Sequence, residues 1–242
     1  MQGAVVDVRR LTHDVVALDV RLNTPCDFDA GQFMAIAAPG VEGLRGYSRV
    51  NFARGGTLLQ FLVKKKPGGG FSEWLFAEGA MGAKLKLFGP LGKATFYPSL
   101  AKHVLCIAGG SGIAGMMSIL TRAFQERYFE QFRGNVYFGV RTFKDAFYLE
   151  ELSAFREAFP ANLRIVIALS DEDVPPSAAA RFPLLRFARG MVHEVAHAEM
   201  AGNYQNVRAY LAGPPPAVDA SIRVLLLEAK LTADNIRYDK FS

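Results

Sequence analysis

The stretch HVLCIAGGSGIAG, residues 103–115, decides the fold of this chain. Its first six residues form an apolar run that predicts a buried strand, and the pattern that follows predicts a helix over Gly112–Arg127. Between them, Gly110, Gly112 and Gly115 follow the spacing G-x-G-x-x-G. Glycine leaves room for a phosphate beside the backbone, and a helix N-terminus binds anions, so this turn predicts a dinucleotide-binding site. A tight turn with packing glycines is the alternative.

The same stretch lies in a run without charged residues, Val104–Thr121, that is long enough to suggest a membrane span. Its glycines favour a buried strand, a turn and a helix instead. The N-terminal residues, MQGAVVD, lack the basic-then-apolar pattern of a signal peptide. We therefore expect a soluble, cytoplasmic protein without a membrane span.

Composition excludes several classes of protein. Of the 242 residues, 50% are hydrophobic and 21% are charged, which excludes a disordered chain. The net charge of +5 is spread along the sequence without a basic tail, so we predict no nucleic-acid partner. Two cysteines, Cys26 and Cys106, cannot form a disulfide framework or ligate an iron–sulfur cluster. His193 and His197 form only a weak His-x-x-x-His pair, and no metal site is predicted.

After about residue 100, apolar runs alternate with helical patterns, which predicts a parallel sheet with crossover helices. The predicted strands are 103–108, 135–140, 163–169, 207–211 and 236–238, and the predicted helices are 112–127, 146–158 and 217–229.

The first part of the chain has a different periodicity. Short apolar segments with glycine and proline between them predict strands, and these are typical of a β-barrel or a β-sandwich. The predicted strands are 15–22, 32–37, 58–63 and 84–88, and one helix is predicted over 71–76. The sequence thus predicts two domains, residues 1–98 and residues 99–242.

The first domain carries a second candidate phosphate site, and the second domain matches the ordinary dinucleotide-binding fold only in part. The segment Pro67–Ser72 is rich in glycine, opens the predicted helix of the first domain and is expected to place a hydroxyl at the helix cap, which makes it a second candidate phosphate site. In the second domain, the expected acidic residue after the second strand is absent, and Arg141 lies there instead. An arginine at this place suits a 2′-phosphate, a pyrophosphate or an adenine.

Seven short motifs occur in an order that resembles the ferredoxin–NADP reductase superfamily over essentially the whole chain. The likeness is greatest to the FAD/NADH portion of the reductase components of bacterial aromatic-ring dioxygenases and diiron monooxygenases. The motifs are Arg45-x-Tyr47-Ser48, Pro67-Gly68-Gly69-x-x-Ser72, Gly89-Pro90-x-Gly92, Gly109-Gly110-x-Gly112-Ile113, Gly139-x-Arg141-x-x-x-Asp145, Leu211-Ala212-Gly213-Pro214-Pro215 and Tyr238-Asp239-Lys240-Phe241-Ser242.

The resemblance implies an antiparallel β-barrel that binds FAD, followed by an α/β parallel-sheet domain that binds NAD. Arg45 would pair with the FAD pyrophosphate, Tyr47 would pack on the isoalloxazine, and Ser48 would hydrogen-bond to flavin N5. Tyr47 and Ser48 are thereby the implied catalytic residues. The other residues implied for FAD are Lys64, Gly69, Gly70, Phe71, Ser72 and Phe241.

The resemblance also implies an NAD site and a preference between nucleotides. The residues implied for NAD are Gly110, Gly112, Ile113, Arg141, Asp171, Ala212, Gly213, Pro214 and Asp239. NADPH-specific relatives commonly carry arginine where this chain has Ser170-Asp171-Glu172-Asp173. Because carboxylates repel a 2′-phosphate, we expect NADH rather than NADPH. Ala212 replaces a cysteine that relatives frequently have near the nicotinamide.

The implied function is a flavoprotein reductase that takes hydride from NADH onto FAD and passes single electrons to an iron–sulfur ferredoxin or an oxygenase component. The two cysteines cannot hold a ferredoxin cluster, so the ferredoxin is a separate protein or belongs to a longer chain. Three alternatives stay open: a flavin reductase that releases reduced flavin, a non-catalytic subunit on the same fold, and a nucleotide-binding module without flavin.

Overall fold

The computed structural model describes residues 1–77 and 79–241, which form two six-stranded sheets and the helices around them. The strands are β1 Gln2–Arg10, β2 Val15–Cys26, β3 Phe33–Ala37, β4 Arg45–Ser48, β5 Gly56–Lys64, β6 Lys84–Leu91, β7 His103–Gly109, β8 Gly134–Val140, β9 Leu163–Leu169, β10 Arg186–Arg189, β11 Val207–Gly213 and β12 Ile236–Lys240. The α-helices are α1 Gly70–Phe76, α2 Ile113–Gln125, α3 Leu149–Ala158, α4 Pro176–Arg181, α5 Val192–Met200 and α6 Pro215–Leu227.

The first sheet is antiparallel, with the strand order β4-β3-β6-β1-β2-β5. Its two outer strands meet where Arg49, just after β4, bridges Phe61 of β5, and the sheet thereby curves into a barrel. Alternate residues of β2 and β5 fill the interior, among them Leu18 and Leu59. The sheet confirms the antiparallel architecture that the motifs imply.

The second sheet is parallel throughout, with the strand order β10-β9-β8-β7-β11-β12. Alternate residues of β7 face opposite sides, because strand side chains have a period of two. Cys106 packs on the side of α2 and α3, and Leu105 packs on the side of α5 and α6. Both faces are therefore covered, which explains why the predicted strands read as continuous apolar runs.

Several elements differ from the predictions. Arg45–Ser48 forms strand β4, which is not among the predicted strands. The sequence patterns did not predict β1, α4, β10 or α5. Strand β10 begins and ends with arginine because it lies at the edge of its sheet, where polar side chains reach solvent. Helix α5 does carry a short apolar stripe that includes Val192 and Val195.

The described residues contain neither a helix that could span a membrane nor a cluster of side chains arranged for a metal ion. Within residues 1–77 and 79–241, no helix is long and apolar enough to cross a membrane, since the run Val104–Thr121 is divided between β7 and α2. Over the same residues, no cluster of three or more His, Cys, Asp or Glu side chains is arranged for a metal ion.

Candidate functional site

The carboxyl ends of β7 and β11, which are adjacent strands of the parallel sheet, form a topological switch point that we call the crevice. The chain leaves β7 toward one face of the sheet and β11 toward the other, and ligands bind at such a switch point in open α/β sheets. Gly109 ends β7, and Gly213 ends β11. A Cβ on Gly213 would lie 3.0 Å from the Gly109 carbonyl oxygen, so the two strand ends are in close contact.

The two glycines of the turn after β7 have different roles. Gly110 has a φ of +52°, and a Cβ there would meet no atom within 4 Å, which leaves open space beside the backbone. A Cβ on Gly112 would instead lie 2.7 Å from the Gly213 nitrogen. Gly112 therefore allows the start of α2 to pack against the end of β11, and Gly110 provides the surface that a phosphate could approach.

Ile113 follows this turn, and its side chain is fully buried in the core. Its backbone N–H donates to the carbonyl groups of the turn. The structure thus places Ile113 beside the crevice, but with its backbone donor already engaged.

The end of β12 completes this crevice. Asp239 lies opposite Ala212 in the parallel register, and the N–H of Phe241 donates to the Gly213 carbonyl at 3.0 Å. Burial raises the pKa of Asp239 to about 6. Pro214 directly follows Gly213 and is the N-cap residue of α6. The structure therefore brings these five residues together; Ser242, the last residue of the terminal motif, lies outside the described residues.

Ser48, at the end of β4, lies between the barrel and the first turn of α2. It is only 4% exposed, and its Oγ has no hydrogen-bond partner within the described residues. A Cβ on Gly115, in the first turn of α2, would lie 3.8 Å from this oxygen. A buried hydroxyl without a partner is unfavourable by itself, so its position between the two domains suits a ligand atom.

Tyr47 and Phe71 pack together at the end of the barrel, with ring centroids 5.1 Å apart. Burial raises the pKa of Tyr47 to about 12, although Arg45 lowers it, so the phenol is neutral. Arg45 is exposed at the other end of β4, roughly 10 Å from Ser48 at the ordinary rise per residue. An extended molecule could therefore contact both ends of this strand.

The turn before α1 is held by hydrogen bonds within itself. The Ser72 hydroxyl accepts from the Lys66 N–H at 3.0 Å and donates to the Gly69 carbonyl. The N-cap of α1 is Gly69, so the expectation of a hydroxyl at the cap itself is wrong. Gly70 begins the helix, and Glu73 accepts a hydrogen bond from the Gly68 N–H at 2.8 Å.

Lys64 and Arg141 meet at a cluster of charges where the two domains touch. Lys64 Nζ lies 3.3 Å from an Asp14 oxygen, and Arg141 lies 4.0 Å from Asp14 and 3.7 Å from Asp145. Burial raises the pKa of Asp14. The opposing effects are together larger and lower this pKa below its ordinary value: they come from the charge of Lys64, a hydrogen bond from Thr12 and the imidazole of His13. Both basic residues are engaged with protein carboxylates here.

An acidic segment follows β9 on the same edge of the parallel sheet. The Asp171 N–H donates to the Arg141 carbonyl at 2.9 Å, and its carboxylate accepts from the Ser170 hydroxyl at 2.6 Å. Asp171 is exposed, and it lies beside the end of β8. This position suits recognition of a free ribose hydroxyl.

Sequence reasoning missed two buried arginines near the domain boundary. Arg122 of α2 is 7% exposed and donates to the Phe96 carbonyl of the first half at 2.9 Å. Arg49 is fully buried, with its guanidinium carbon 3.0 Å from the centre of the Phe28 ring. An arginine inside an otherwise apolar helical stripe was the available signal for Arg122.

Comparisons with known proteins agree with this architecture. Residues 2–96 match the oxidoreductase FAD-binding domain family, and residues 106–222 match the oxidoreductase NAD-binding domain family. The fold and the crevice thus define a two-domain oxidoreductase that binds FAD and NAD.

The ferredoxin–NAD(P)+ reductase CarAd of Metapseudomonas resinovorans is 32% identical over 242 residues, which cover 100% of this chain and 69% of that protein. The chain belongs to the ferredoxin–NAD(P)+ reductase family. The reductase component of the naphthalene 1,2-dioxygenase/salicylate 5-hydroxylase systems of a Ralstonia species is 28% identical over 100% of this chain and 69% of its own length.

Solved structures show the same likeness. The ferredoxin reductase in carbazole 1,9a-dioxygenase has a TM-score of 0.84 and 32% identity, and the Amycolatopsis cytochrome P450 reductase GcoB has a TM-score of 0.87 and 26% identity. Both matches cover 100% of this chain, and they cover 69% and 70% of those chains. This chain therefore spans about two thirds of the length of its relatives, as the 66% coverage of a propane 2-monooxygenase reductase component from Mycolicibacterium goodii also illustrates.

Proposed function

We propose that this chain takes hydride from NADH onto FAD and passes electrons singly to a separate iron–sulfur ferredoxin or to an oxygenase component. FAD supplies the conversion between a two-electron donor and one-electron acceptors. The observation that carries the proposal is the buried Ser48 hydroxyl, which has no hydrogen-bond partner among residues 1–77 and 79–241 and lies near the start of α2 across the boundary between the domains.

The residues of the first half fit an extended dinucleotide. Arg45 offers a bidentate donor for a pyrophosphate at one end of β4, and Ser48 offers a hydroxyl to the flavin N5 edge at the other end. The proposed FAD residues are Arg45, Tyr47, Ser48, Lys64, Gly69, Gly70, Phe71, Ser72 and Phe241.

The second half fits a nicotinamide dinucleotide. The open backbone at Gly110 would receive its pyrophosphate, and the carboxylate of Asp171 would accept from the ribose 2′-hydroxyl and repel a 2′-phosphate. The proposed NAD residues are Gly110, Gly112, Ile113, Arg141, Asp171, Ala212, Gly213, Pro214 and Asp239.

We also propose domain limits of 1–98 and 99–242, which are supported by the end of β6 at Leu91 and the start of β7 at His103. Two free and buried cysteines, Cys26 and Cys106, support a reducing compartment, and we propose the cytoplasm.

Anaerobic rapid-mixing of the FAD-loaded protein with NADH tests the function. We expect NADH to bleach the flavin absorbance, with a higher kcat/KM for NADH than for NADPH. Ser48→Ala should slow this reduction by about 10-fold or more, because a polar contact at the reacting edge is lost. Ser153→Ala is a matched control, since the Ser153 hydroxyl donates within α3 to the Leu149 carbonyl at 2.7 Å.

Three results would contradict the proposal. No bleaching by NADH would indicate a non-catalytic subunit, and loss of FAD on gel filtration would indicate a reductase that releases flavin. Failure to take up FAD would indicate a nucleotide-binding module without flavin.

A further inference from the structure

One face of α2 is in contact with the barrel along its length. Ser118, Arg122 and Gln125 are spaced by four and three residues, so their side chains share one side of the helix. Ser118 bonds to Gly31, Arg122 to Phe96, and Gln125 to Phe52. We call Ser118, Arg122 and Gln125 the docking face of α2.

Ser118 is the member closest to the crevice. It is fully buried, and its hydroxyl accepts from the Gly31 N–H at 2.8 Å and donates to the Gly115 carbonyl at 2.9 Å. Gly31 comes just before β3, whose first residue, Phe33, pairs with Ser48. One hydroxyl thereby joins the first turn of α2 to the strand beside Ser48.

Arg122 lies in the last turn of the helix. Its guanidinium donates to the Phe96 carbonyl at 2.9 Å, lies 3.3 Å from an Asp29 oxygen, and packs 5.3 Å from the centre of the Phe52 ring. A buried guanidinium with several fixed partners tolerates little displacement, because each lost contact leaves a buried polar group unpaired. Gln125 adds a bond to the Phe52 carbonyl at 3.1 Å.

The same helix begins at the glycine turn that lines the crevice. A shift of α2 along or away from the barrel would therefore move the Gly110 turn relative to Ser48. We propose that the docking face of α2 consists of positioning residues, which set the gap between the nicotinamide and the flavin. This inference rests on the proposed function, and it concerns geometry rather than affinity for either nucleotide.

Three variants test it: Ser118→Ala, Arg122→Met and Gln125→Ala. The exposed Gln125 keeps the test valid if the two buried substitutions impair folding. Thr121→Ala is the matched control, because the Thr121 hydroxyl donates within α2 to the Met117 carbonyl at 2.8 Å.

We expect the rate constant for flavin reduction by NADH to fall about 10- to 100-fold in Ser118→Ala and Arg122→Met and about 3-fold in Gln125→Ala. The Kd of ADP-ribose, measured by calorimetry, should change by less than about 3-fold, since the turn itself is intact. Oxidation of the dithionite-reduced protein by ferricyanide should stay within about 2-fold, because that step does not require the nicotinamide. In flavin-free Ser118→Ala, the amide of Gly31 should exchange its hydrogen faster than in the parent or in Thr121→Ala.

Reduction rates equal to those of Thr121→Ala in every variant that folds would overturn the inference. Equal losses in reduction, ADP-ribose binding and ferricyanide oxidation would also overturn it, because they would indicate general destabilisation. An unmutated protein that NADH does not reduce would refute the proposed function instead, and the exchange of the Gly31 amide would still report whether the docking contact exists.

Discussion

Replacing Gly110 or Gly112 with alanine should separate two roles within one glycine turn. An alanine Cβ at position 112 would lie 2.5 Å from the Ala212 carbonyl carbon and 2.7 Å from the Gly213 nitrogen. Both atoms belong to the backbone of β11, so neither can rotate away. At position 110 the same methyl group would meet no atom within 4 Å, and its only internal cost comes from the φ of +52°.

These distances give different energies. A methyl group forced against backbone typically costs about 1–3 kcal/mol. In a chain of this size that lowers the melting temperature by roughly 2–12 °C, at about 2–4 °C for each kcal/mol. The left-handed conformation costs a non-glycine residue about 1–2 kcal/mol, so Gly110→Ala, which meets no neighbouring atom, should lose less stability than Gly112→Ala, whose methyl group is forced against backbone. Its methyl group, however, occupies the space that we assign to the pyrophosphate.

Calorimetric melting and steady-state kinetics distinguish these effects. Gly112→Ala should melt at the lower temperature, and Gly110→Ala should raise the KM for NADH by about 10-fold with a smaller change in kcat. Equal melting temperatures of the two variants would refute the clash at position 112. A Gly110→Ala variant with the KM of the parent protein for NADH would refute the pyrophosphate assignment.

Three further predictions concern buried or clustered charges. Arg49→Met should raise the free energy of unfolding by about 1–4 kcal/mol in urea, because burial lowers the pKa of the guanidinium to about 9 and no partner for it lies within the described residues. The charged form is disfavoured in the folded state, so this gain should be full below about pH 9 and should shrink above it. Asp239→Asn should stabilise the protein near pH 7 by at most ~3 kcal/mol and have little effect near pH 3, since the folded pKa of about 6 is above the ordinary value of 3.8. Asp14→Asn should destabilise it near pH 7 by about 0.5–1 kcal/mol, an effect lost as the pH falls through the lowered folded pKa of Asp14.

Each of these has a result that would contradict it. An Arg49→Met protein that unfolds at lower urea than the parent would mean that the guanidinium has a stabilising partner. A pH-independent effect of Asp239→Asn would mean that the carboxyl titrates normally. Equal effects of Asp14→Asn at acidic and neutral pH would mean that the hydroxyl of Thr12, rather than charge, holds this cluster.

The sequence predicted the elements whose patterns are local. The strand Leu163–Leu169 was predicted with its observed limits, because an apolar run interrupted only by Arg164, with polar residues on each side, is typical of a buried parallel strand. The glycine turn after β7 was also predicted, because the G-x-G-x-x-G spacing lies within six neighbouring residues. Strand β10 was not, since its stability depends on pairing with β9 rather than on its own residues.

The arrangement of the site depended on contacts between distant parts of the chain. Ser118 bonds to Gly31, which lies 87 residues earlier, and Arg122 reaches Asp29 over 93 residues. No spacing rule relates such pairs. The different surroundings of Gly110 and Gly112 were equally hidden, because one motif contains both and only the position of β11 distinguishes them.

The hydrogen bond from Phe241 to Gly213 has a practical consequence for handling the protein. It holds Phe241 beside Gly213 at the crevice, so a peptide attached close behind Phe241 would start next to the proposed nucleotide-binding residues. Affinity tags at this end would compete with nucleotides for access, whereas the opposite terminus runs beside β6, where the amino group of Met1 bonds to the Leu87 carbonyl at 2.7 Å. Purification and immobilisation for the assays above are therefore best made through the amino end.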